Sequence, residues 1–383
     1  MMQRALAMII ALAGGLSWAS SASAAGYIMY VGTYSGPLSK GIYAWRFDPD
    51  TGKLTNLGLA ATTLSPSFLA AHPNGRFLYA VNEISHFQKM WHSGSVSSFR
   101  IDPATGKLTL LNAVQSLGDG PCHLALDRKG QSLLVANYNN GSVSAFQVGA
   151  NGMLAQSESF FQHRGSSLDP ERQKGPHAHC ILLSPDDRFA LIADLGLDQV
   201  LSYRLDAAHA KITENDPPFT KVAPGSGPRH LAFHPNGKWV YLINEMKSTI
   251  ITFAYDSANG SLRELQTVST LPKDFSGHND TAEIAVHPSG KFVYGSNRGH
   301  DSIAVFAVDP KAGTLKPVEF VSTKGQVPRN FVIDPSSKYL LAANQLSNNI
   351  VEFKIDLATG RLTPNGVEVK NPSPVCLTFV PAK

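Results

Sequence analysis

Cysteine is scarce in this chain, with only three residues in 383, at positions 122, 180 and 376. An odd number of cysteines cannot all pair, so the sequence predicts no disulfide framework, and a single disulfide after export is left as an alternative. The spacing of the three matches no metal-binding motif, and we expect no metal site and no cofactor. Their neighbours in the chain favour small, buried strand residues, a common position for unpaired cysteine.

Charge is also low. Only 16% of the residues are charged, the formal net charge is +4, and no block of lysine and arginine stands out. This pattern predicts no nucleic-acid partner. The 43% of hydrophobic residues, over this length, supplies enough apolar surface for a large core.

Only one stretch suggests insertion into a membrane, and it lies at the N-terminus. Arg4 precedes an apolar run over residues 5–16, and Ala22-Ser23-Ala24 has the small-x-small pattern of a signal peptidase site. The run is too short, and too interrupted by Gly14 and Gly15, for a membrane anchor. We therefore predict a signal peptide over residues 1–24, a periplasmic or secreted mature protein, and no membrane attachment after cleavage.

The rest of the chain is built on an internal repeat. Turn segments such as His234-Pro-Asn-Gly237 recur about every 50 residues, each between two short apolar runs, and Asn and Gly accept the positive φ of hairpin turns. Ten residues after each turn begins, a polar residue ends the second run. The turns begin at His72, Asp127, Ser184, His234, His287 and Asp334. Repeats of this length with several short strands are typical of β-propeller blades.

Each unit continues with two more predicted strands, as in residues 249–256 and 261–268, so one unit forms a four-stranded antiparallel blade. Six units are complete. The seventh is divided, because Pro374–Pro381 resembles a lone first strand and the N-terminal residues 27–61 supply the other three. We predict an all-β, seven-bladed propeller over residues 25–383, closed by a blade shared between the two termini, which removes exposed sheet edges.

The first strand of each propeller blade lines the central channel, so first-strand starts and second-strand ends should meet at one mouth. Four ionisable residues interrupt the repeat there, and such a convergence favours a functional site. They are His179, Arg229, Glu245 and Arg298. Five further residues at or beside these positions are candidates for substrate contact. They are His123, His177, His230, Glu283 and Arg329.

Other polar residues favour structural roles. The turn histidines His72, His234 and His287 belong to the opposite face, and the asparagines that end the second strands recur from blade to blade. Two longer segments, residues 82–93 and 161–174, are predicted to overhang the channel mouth.

Six short motifs carry a family resemblance. They are Tyr30-Val-Gly-Thr-Tyr34, Gly175-Pro-His-Ala-His179, Gly227-Pro-Arg-His230, Asn244-Glu245, Ala282-Glu283 and Ser296-Asn-Arg298. With these motifs in this order, the chain resembles the lactonase family of seven-bladed propellers, which includes bacterial 6-phosphogluconolactonases and fungal carboxy-muconate lactonizing enzymes. For the cycloisomerase branch, the resemblance implies His179, Arg229, Glu245 and Arg298 as active-site groups, with His177 as a second candidate for the histidine.

The chemistry of lactone hydrolysis fits these residue types. A ring ester needs a base to deprotonate water and fixed positive charge to stabilise the oxyanion. Glu245 and His179 are the candidates for the base, and Arg229 and Arg298 for the positive charge. We expect a monomeric, exported hydrolase of a sugar-acid lactone. The alternatives are a cycloisomerase acting on muconate-like organic acids and a non-catalytic binding propeller.

Overall fold

The computed structural model describes residues 26–157 and 159–382, and the predicted signal peptide lies outside these residues. The described part forms seven four-stranded antiparallel sheets and one small hairpin, and it contains no helix. It therefore also has no helix that is long and apolar enough to cross a membrane. The predicted seven-bladed, all-β propeller is confirmed.

The strands follow the predicted repeat closely. Those of the closing blade and of blades 1 to 3 are β1 (Tyr27–Thr33), β2 (Gly41–Phe47), β3 (Leu54–Thr62), β4 (Leu69–Ala71), β5 (Phe77–Asn82), β6 (His86–Phe87), β7 (Met90–Trp91), β8 (Ser95–Ile101), β9 (Leu108–Gln115), β10 (Pro121–Leu126), β11 (Ser132–Asn137), β12 (Ser142–Gln147), β13 (Ser159–Gln162), β14 (Ala178–Leu183), β15 (Phe189–Asp194), β16 (Gln199–Asp206) and β17 (Lys211–Lys221).

The remaining strands form blades 4 to 6 and the C-terminal strand. They are β18 (Pro228–Phe233), β19 (Trp239–Asn244), β20 (Thr249–Asp256), β21 (Ser261–Ser269), β22 (Asp280–Val286), β23 (Phe292–Arg298), β24 (Ser302–Val308), β25 (Leu315–Ser322), β26 (Pro328–Ile333), β27 (Tyr339–Asn344), β28 (Asn349–Ile355), β29 (Leu362–Lys370) and β30 (Pro374–Pro381). The short β6–β7 hairpin lies within the predicted 82–93 segment.

The ring closes through the predicted composite blade. Strand β30 pairs with β1 in antiparallel register, from Tyr27 opposite Pro381 to Gly32 opposite Cys376, and the sheet order is β3-β2-β1-β30. The seven innermost strands contact one another in a complete cycle, β4, β10, β14, β18, β22, β26 and β30, which returns to β4.

The core consists of seven apolar layers between neighbouring blades rather than one central cluster. Second strands such as β5 and β19 are buried along their whole length, because both faces of each sheet pack against another blade. This explains their continuous apolar sequences, which do not alternate.

The repeated polar residues are structural, as predicted. In each of three turns the histidine Nε2 lies within hydrogen-bonding distance of a backbone oxygen in the corresponding turn of the next blade. The pairs are His72 with Gly130, His234 with Gly290 and His287 with Ser337. The strand-end Asn297 is fully buried and donates to the backbone oxygen of Thr270 at 2.8 Å.

First strands share a bulge near the channel mouth. In β18 the pairing passes from Pro228 opposite Asn244 directly to His230 opposite Ile243, which leaves Arg229 unpaired in the ladder. In β22 two residues, Ala282 and Glu283, are skipped at the same place, and in four other first strands one residue is skipped. The skipped residues there are Cys122, His179, Arg329 and Val375. A bulge of this kind redirects side chains and ends regular pairing.

One buried carboxyl group lies where blade 6 meets the closing blade. Glu352 is fully buried, its Oε1 accepts from the Asn365 amide, and its Oε2 has no partner among the described residues. Burial raises the pKa of Glu352 from 4.5 to about 7, the Asn365 hydrogen bond lowers it in part, and the nearby Asp334 raises it. The folded protein therefore favours the protonated form of this side chain.

This shift predicts a pH-dependent stability. Between pH 4.5 and 7 the folded state binds more protons at Glu352 than the unfolded state, so stability falls as the pH rises through that range. Glu352→Gln removes the ionisation, and we expect its Tm relative to the wild type to rise by about 1–3 °C between pH 5 and pH 8. Thermal unfolding at both pH values measures this, with the exposed Glu264→Gln as control. A constant difference across the range would contradict the assignment.

Candidate active site

The candidate site is a cavity of about 290 Å³ at the mouth of the central channel. Its lining comes from first-strand bulges, second-strand ends and one loop. The residues are Glu83, Cys122, Tyr138, Arg172, His179, Glu245, Asp280, Arg298 and Arg329. A narrower cavity continues into the channel and shares Glu83, Cys122, His179 and Arg329 with the first. Residues from distant parts of the sequence meet here because every blade turns the same strand ends toward this mouth.

Glu245 is the electrostatic centre of the cavity. Its Oε2 accepts from Arg229 Nε at 2.8 Å and lies 2.9 Å from Arg298 Nη2, and its Oε1 accepts from Arg172 Nη2 at 2.5 Å. Burial alone would raise the pKa of this carboxyl, but Arg298, Arg229 and Arg172 together hold it at about 2. Glu245 is therefore a permanent anion at neutral pH, with three guanidinium groups fixed around it.

The backbone also holds two of these arginines in place. Arg229 is only 2% exposed, and its Nη1 donates to the Ala282 oxygen at 2.6 Å, while Arg298 Nη2 donates to the Thr281 oxygen at 2.8 Å. Burial lowers the pKa of Arg298 to about 10, which leaves it charged at neutral pH. Both side chains are thus oriented before any ligand arrives.

Arg172 comes from the predicted overhanging loop. Besides Glu245, its Nη2 approaches the Tyr138 hydroxyl at 3.5 Å, and its side chain is 38% exposed. The neighbouring Gln173 anchors the loop, because its side chain is buried and donates to the Leu195 oxygen at 2.8 Å. The loop therefore delivers a partly exposed cation over the mouth.

His179 lines both cavities. Its ring is buried, its Nδ1 has no partner among the described residues, and it packs edge-on against Tyr138 and His230. Burial, and then the positive charge of Arg229, lowers the pKa of His179 well below its usual value. The imidazole is consequently neutral at physiological pH.

The structure separates the two histidines of the Gly175–His179 motif. His177 stacks on the Tyr138 ring, and its Nδ1 lies 2.8 Å from the Tyr138 backbone oxygen, so its ring is held by local contacts. It lines neither cavity, whereas His179 lines both. The geometry favours His179 as the histidine of the site.

A second polar network lies deeper in the channel. His230 Nδ1 lies 2.9 Å from Glu283 Oε1, and Asn330 Nδ2 donates to Glu283 Oε2 at 2.5 Å. His230 and Glu283, two of the predicted substrate-contact residues, line the deeper cavity. Burial, opposed in part by Glu283, lowers the pKa of His230, so this imidazole is also neutral.

His123, another predicted contact residue, lines neither cavity, and Phe68 packs on its ring at 4.1 Å. With Cys180 and His230 it forms a cluster compact enough for a metal ion. However, the Ile181 amide donates to His123 Nδ1 at 3.3 Å, so the neutral ring carries its proton on Nε2, which lies 3.7 Å from Cys180 Sγ. A metal-bound histidine normally donates through its second nitrogen instead, and this arrangement favours a closed hydrogen-bonded cluster.

Sequence reasoning did not select Tyr34, Glu83 and Arg172 as site residues. The Tyr34 hydroxyl lies 3.0 and 2.9 Å from the two oxygens of Glu83 and accepts from Arg329 Nη2 at 2.8 Å. Glu83 was detectable, because it holds the same place after its second strand as Glu245 does. Tyr34 lies in a family motif, but Arg172 belongs to a loop outside the repeat and had no comparable signal.

Comparison with known proteins supports this assembly. The family model described as lactonase, 7-bladed beta-propeller, matches residues 28–379. A Bacillus subtilis protein named 6-phosphogluconolactonase is 39% identical over 354 residues, which cover 92% of this chain and 98% of the relative. A Formosa agariphila protein of the same name is 36% identical over 310 residues, 80% of this chain and 86% of the relative.

A solved structure agrees with the sequence matches. The structure of the periplasmic gluconolactonase of Pseudomonas aeruginosa superimposes with a TM-score of 0.87 at 36% identity, covering 94% of this chain and 100% of the other. The match spans every blade, and the predicted family resemblance is confirmed. The chain belongs to the lactonase family of seven-bladed β-propellers.

Proposed function

We propose that the protein hydrolyses a sugar-acid lactone by attack of water on the ring ester. The observation that carries this proposal is the fixed group of three guanidiniums around Glu245, beside the neutral His179, in a cavity of about 290 Å³. The relatives named 6-phosphogluconolactonase and the gluconolactonase structure support the same reaction class.

The arginines supply the electrostatic part of the mechanism. When water adds to the lactone carbonyl, negative charge develops on the carbonyl oxygen, and fixed donors stabilise that charge without reorganising. Arg298 and Arg329 line the mouth and serve this role, while the buried Arg229 adds positive charge behind them. The same guanidiniums form paired hydrogen bonds with the carboxylate that appears when the lactone ring opens.

Glu245 and His179 take different roles in this mechanism. A carboxylate with a pKa of about 2 is a weak proton acceptor at neutral pH, so Glu245 acts by orienting the arginines. The neutral His179 ring, with an unpaired Nδ1, holds the attacking water by a hydrogen bond. Arg329 lines the mouth cavity and contacts the substrate there, while His230 and Glu283 line the deeper cavity, whose free space of about 10 Å³ holds at most one water molecule.

The predicted export of the protein bears on which lactone it hydrolyses. The N-terminal sequence supports a signal peptide over residues 1–24 and a mature propeller from residue 25, and one structural relative is a periplasmic gluconolactonase. An exported enzyme suits an unphosphorylated lactone, since phosphorylated sugar acids are made and used in the cytosol. The ring completes itself within one chain, which supports a monomer, and the low net charge without a basic block argues against a nucleic-acid partner.

Acid release at constant pH tests this function. The mature protein is incubated with glucono-δ-lactone, its 6-phosphate and a muconate-derived lactone, and base consumption is compared with the spontaneous rate. We expect acceleration with the sugar lactones, strongest with the unphosphorylated one. Acceleration only with the muconate lactone would favour the cycloisomerase alternative, and no acceleration with any of them would favour a binding propeller.

The role of Glu245 predicts a combined loss of stability and activity. Glu245→Gln leaves the buried Arg229 without its counter-ion, so we expect unfolding free energy to fall by about 3–5 kcal/mol, as when one partner of a buried ion pair is removed. We also expect kcat/KM to fall roughly 100-fold or more because the arginines lose their orientation. Urea unfolding and steady-state kinetics measure both. Because the pKa of Glu245 is about 2, any acidic limb of the wild-type pH profile above pH 4 should persist in this variant.

Replacement of the loop arginine, Arg172, should have a milder effect than replacement of Glu245. Arg172 is partly exposed and contacts Glu245 from outside the channel, so Arg172→Ala removes one cation from the mouth without opening the fold. We expect KM for the 6-phosphate of glucono-δ-lactone, a charged lactone of the panel, to rise about 3–10-fold with little change in Tm. Lys174→Ala, an exposed cation on the same loop, is the matched control and should leave KM unchanged.

A further inference from the structure

Two glutamates occupy equivalent places in opposite parts of the ring. Glu83 follows the second strand of blade 1, Glu245 follows the second strand of blade 4, and both line the mouth cavity. Their surroundings differ. Glu245 contacts three guanidiniums, whereas the Glu83 carboxylate accepts only the Tyr34 hydroxyl among the described residues.

The difference decides which group can accept a proton. The arginines around Glu245 favour its charged form strongly, and burial together with Arg229 opposes a proton on His179. Asp280, the other carboxylate of the mouth, lies 3.2 Å from the exposed His278 and does not line the deeper cavity. Glu83 lines both cavities and has no direct guanidinium contact among the described residues, so it is the carboxylate best placed to take a proton during the reaction.

The hydroxyl of Tyr34 also fixes where that carboxylate lies. It donates to Glu83 Oε2 at 2.9 Å and accepts from Arg329 Nη2 at 2.8 Å. The distance between the carboxylate oxygen and the guanidinium nitrogen therefore cannot exceed the sum of these two hydrogen-bond lengths. The Arg329 guanidinium additionally packs over the Tyr34 ring at 5.2 Å. A proton acceptor and an oxyanion donor are therefore both held by one hydroxyl.

From this geometry we propose that Glu83 is the general base of the hydrolysis and that Tyr34 positions it. The inference rests on the proposed lactone hydrolase function and adds a catalytic residue to it. The Glu83 carboxylate takes one proton as the water oxygen bonds to the lactone carbonyl carbon. The tetrahedral intermediate then collapses, the bond from that carbon to the ring oxygen breaks, and the proton on Glu83 passes to the departing ring oxygen. The product is the open hydroxy acid, and the carboxylate is restored.

Tyr34 is a positioning residue in this scheme. Burial raises the pKa of its hydroxyl, so it stays protonated and donates to Glu83 at neutral pH. A hydrogen bond to the charged form of a carboxylate favours that form. Loss of the phenol removes this contact and should lower kcat while KM stays nearly unchanged, a split that a purely structural role would not produce. The ionisable side chains that line both cavities together with Glu83 are Cys122, His179 and Arg329, and Tyr34 lines the deeper cavity.

The test compares kcat and KM of three variants with those of the wild type on glucono-δ-lactone. Glu83→Gln should lower kcat about 100- to 10,000-fold and leave KM within about 3-fold. Tyr34→Phe should lower kcat by about 10-fold or less and also leave KM within about 3-fold. Glu264→Gln, an exposed glutamate on β21, should match the wild type.

Two further measurements separate the outcomes. Calorimetric binding of gluconate to Glu83→Gln should match the wild type and shows that the site is intact. Formate should restore part of the activity of Glu83→Ala by supplying a carboxylate to the vacated position. An active wild type with a Glu83→Gln variant that keeps kcat within 3-fold would overturn the assignment of Glu83 alone. A wild type without any acid release above the spontaneous rate would overturn both the assignment and the proposed function.

Discussion

Ring closure is the constraint on which the rest of this structure depends. Each blade buries both faces of its second strand against its neighbours, so no blade can be complete unless the next one is in place. The composite blade of β30 with β1, β2 and β3 meets this requirement with the two ends of one chain. The candidate site also depends on ring closure, because the residues that line its two cavities come from all seven blades and keep their spacing only while the ring is closed.

Within that frame, the mouth is organised by charge pairing in a buried setting. A guanidinium as buried as Arg229 requires a counter-ion, and Glu245 meets this need while it also orients Arg298 and Arg172. Another carboxylate of the mouth, that of Glu83, is paired with a neutral phenol instead. The cavity therefore has one side where charge is fixed and another where a proton can move, which is the division of roles that ester hydrolysis requires.

Much of this could be predicted from the sequence, because turn chemistry and hairpin length repeat visibly. They gave the blade number, the split blade and the structural turn histidines, and they brought Arg229, Glu245 and Arg298 to one mouth. The finer geometry had no such signal. The bulge at Arg229 places both Arg229 and His230 in the lining of the deeper cavity, and no residue pattern predicts this bulge. Likewise, Glu83 and Glu245 are equivalent by position, and only the three-dimensional packing reveals which of them meets arginine.

The bulges have a consequence for how such an enzyme diversifies. A bulged residue takes no part in the ladder, so its identity is free of the pairing rules that constrain its neighbours. In this chain five positions that are skipped singly carry a thiol, an imidazole, two guanidiniums and an isopropyl group. A substitution at one of them changes the chemistry of the channel without removing a pair from the ladder. The residues that pair the strands are thus different from the bulged residues that line the channel, so substrate specificity can change by substitutions in single blades.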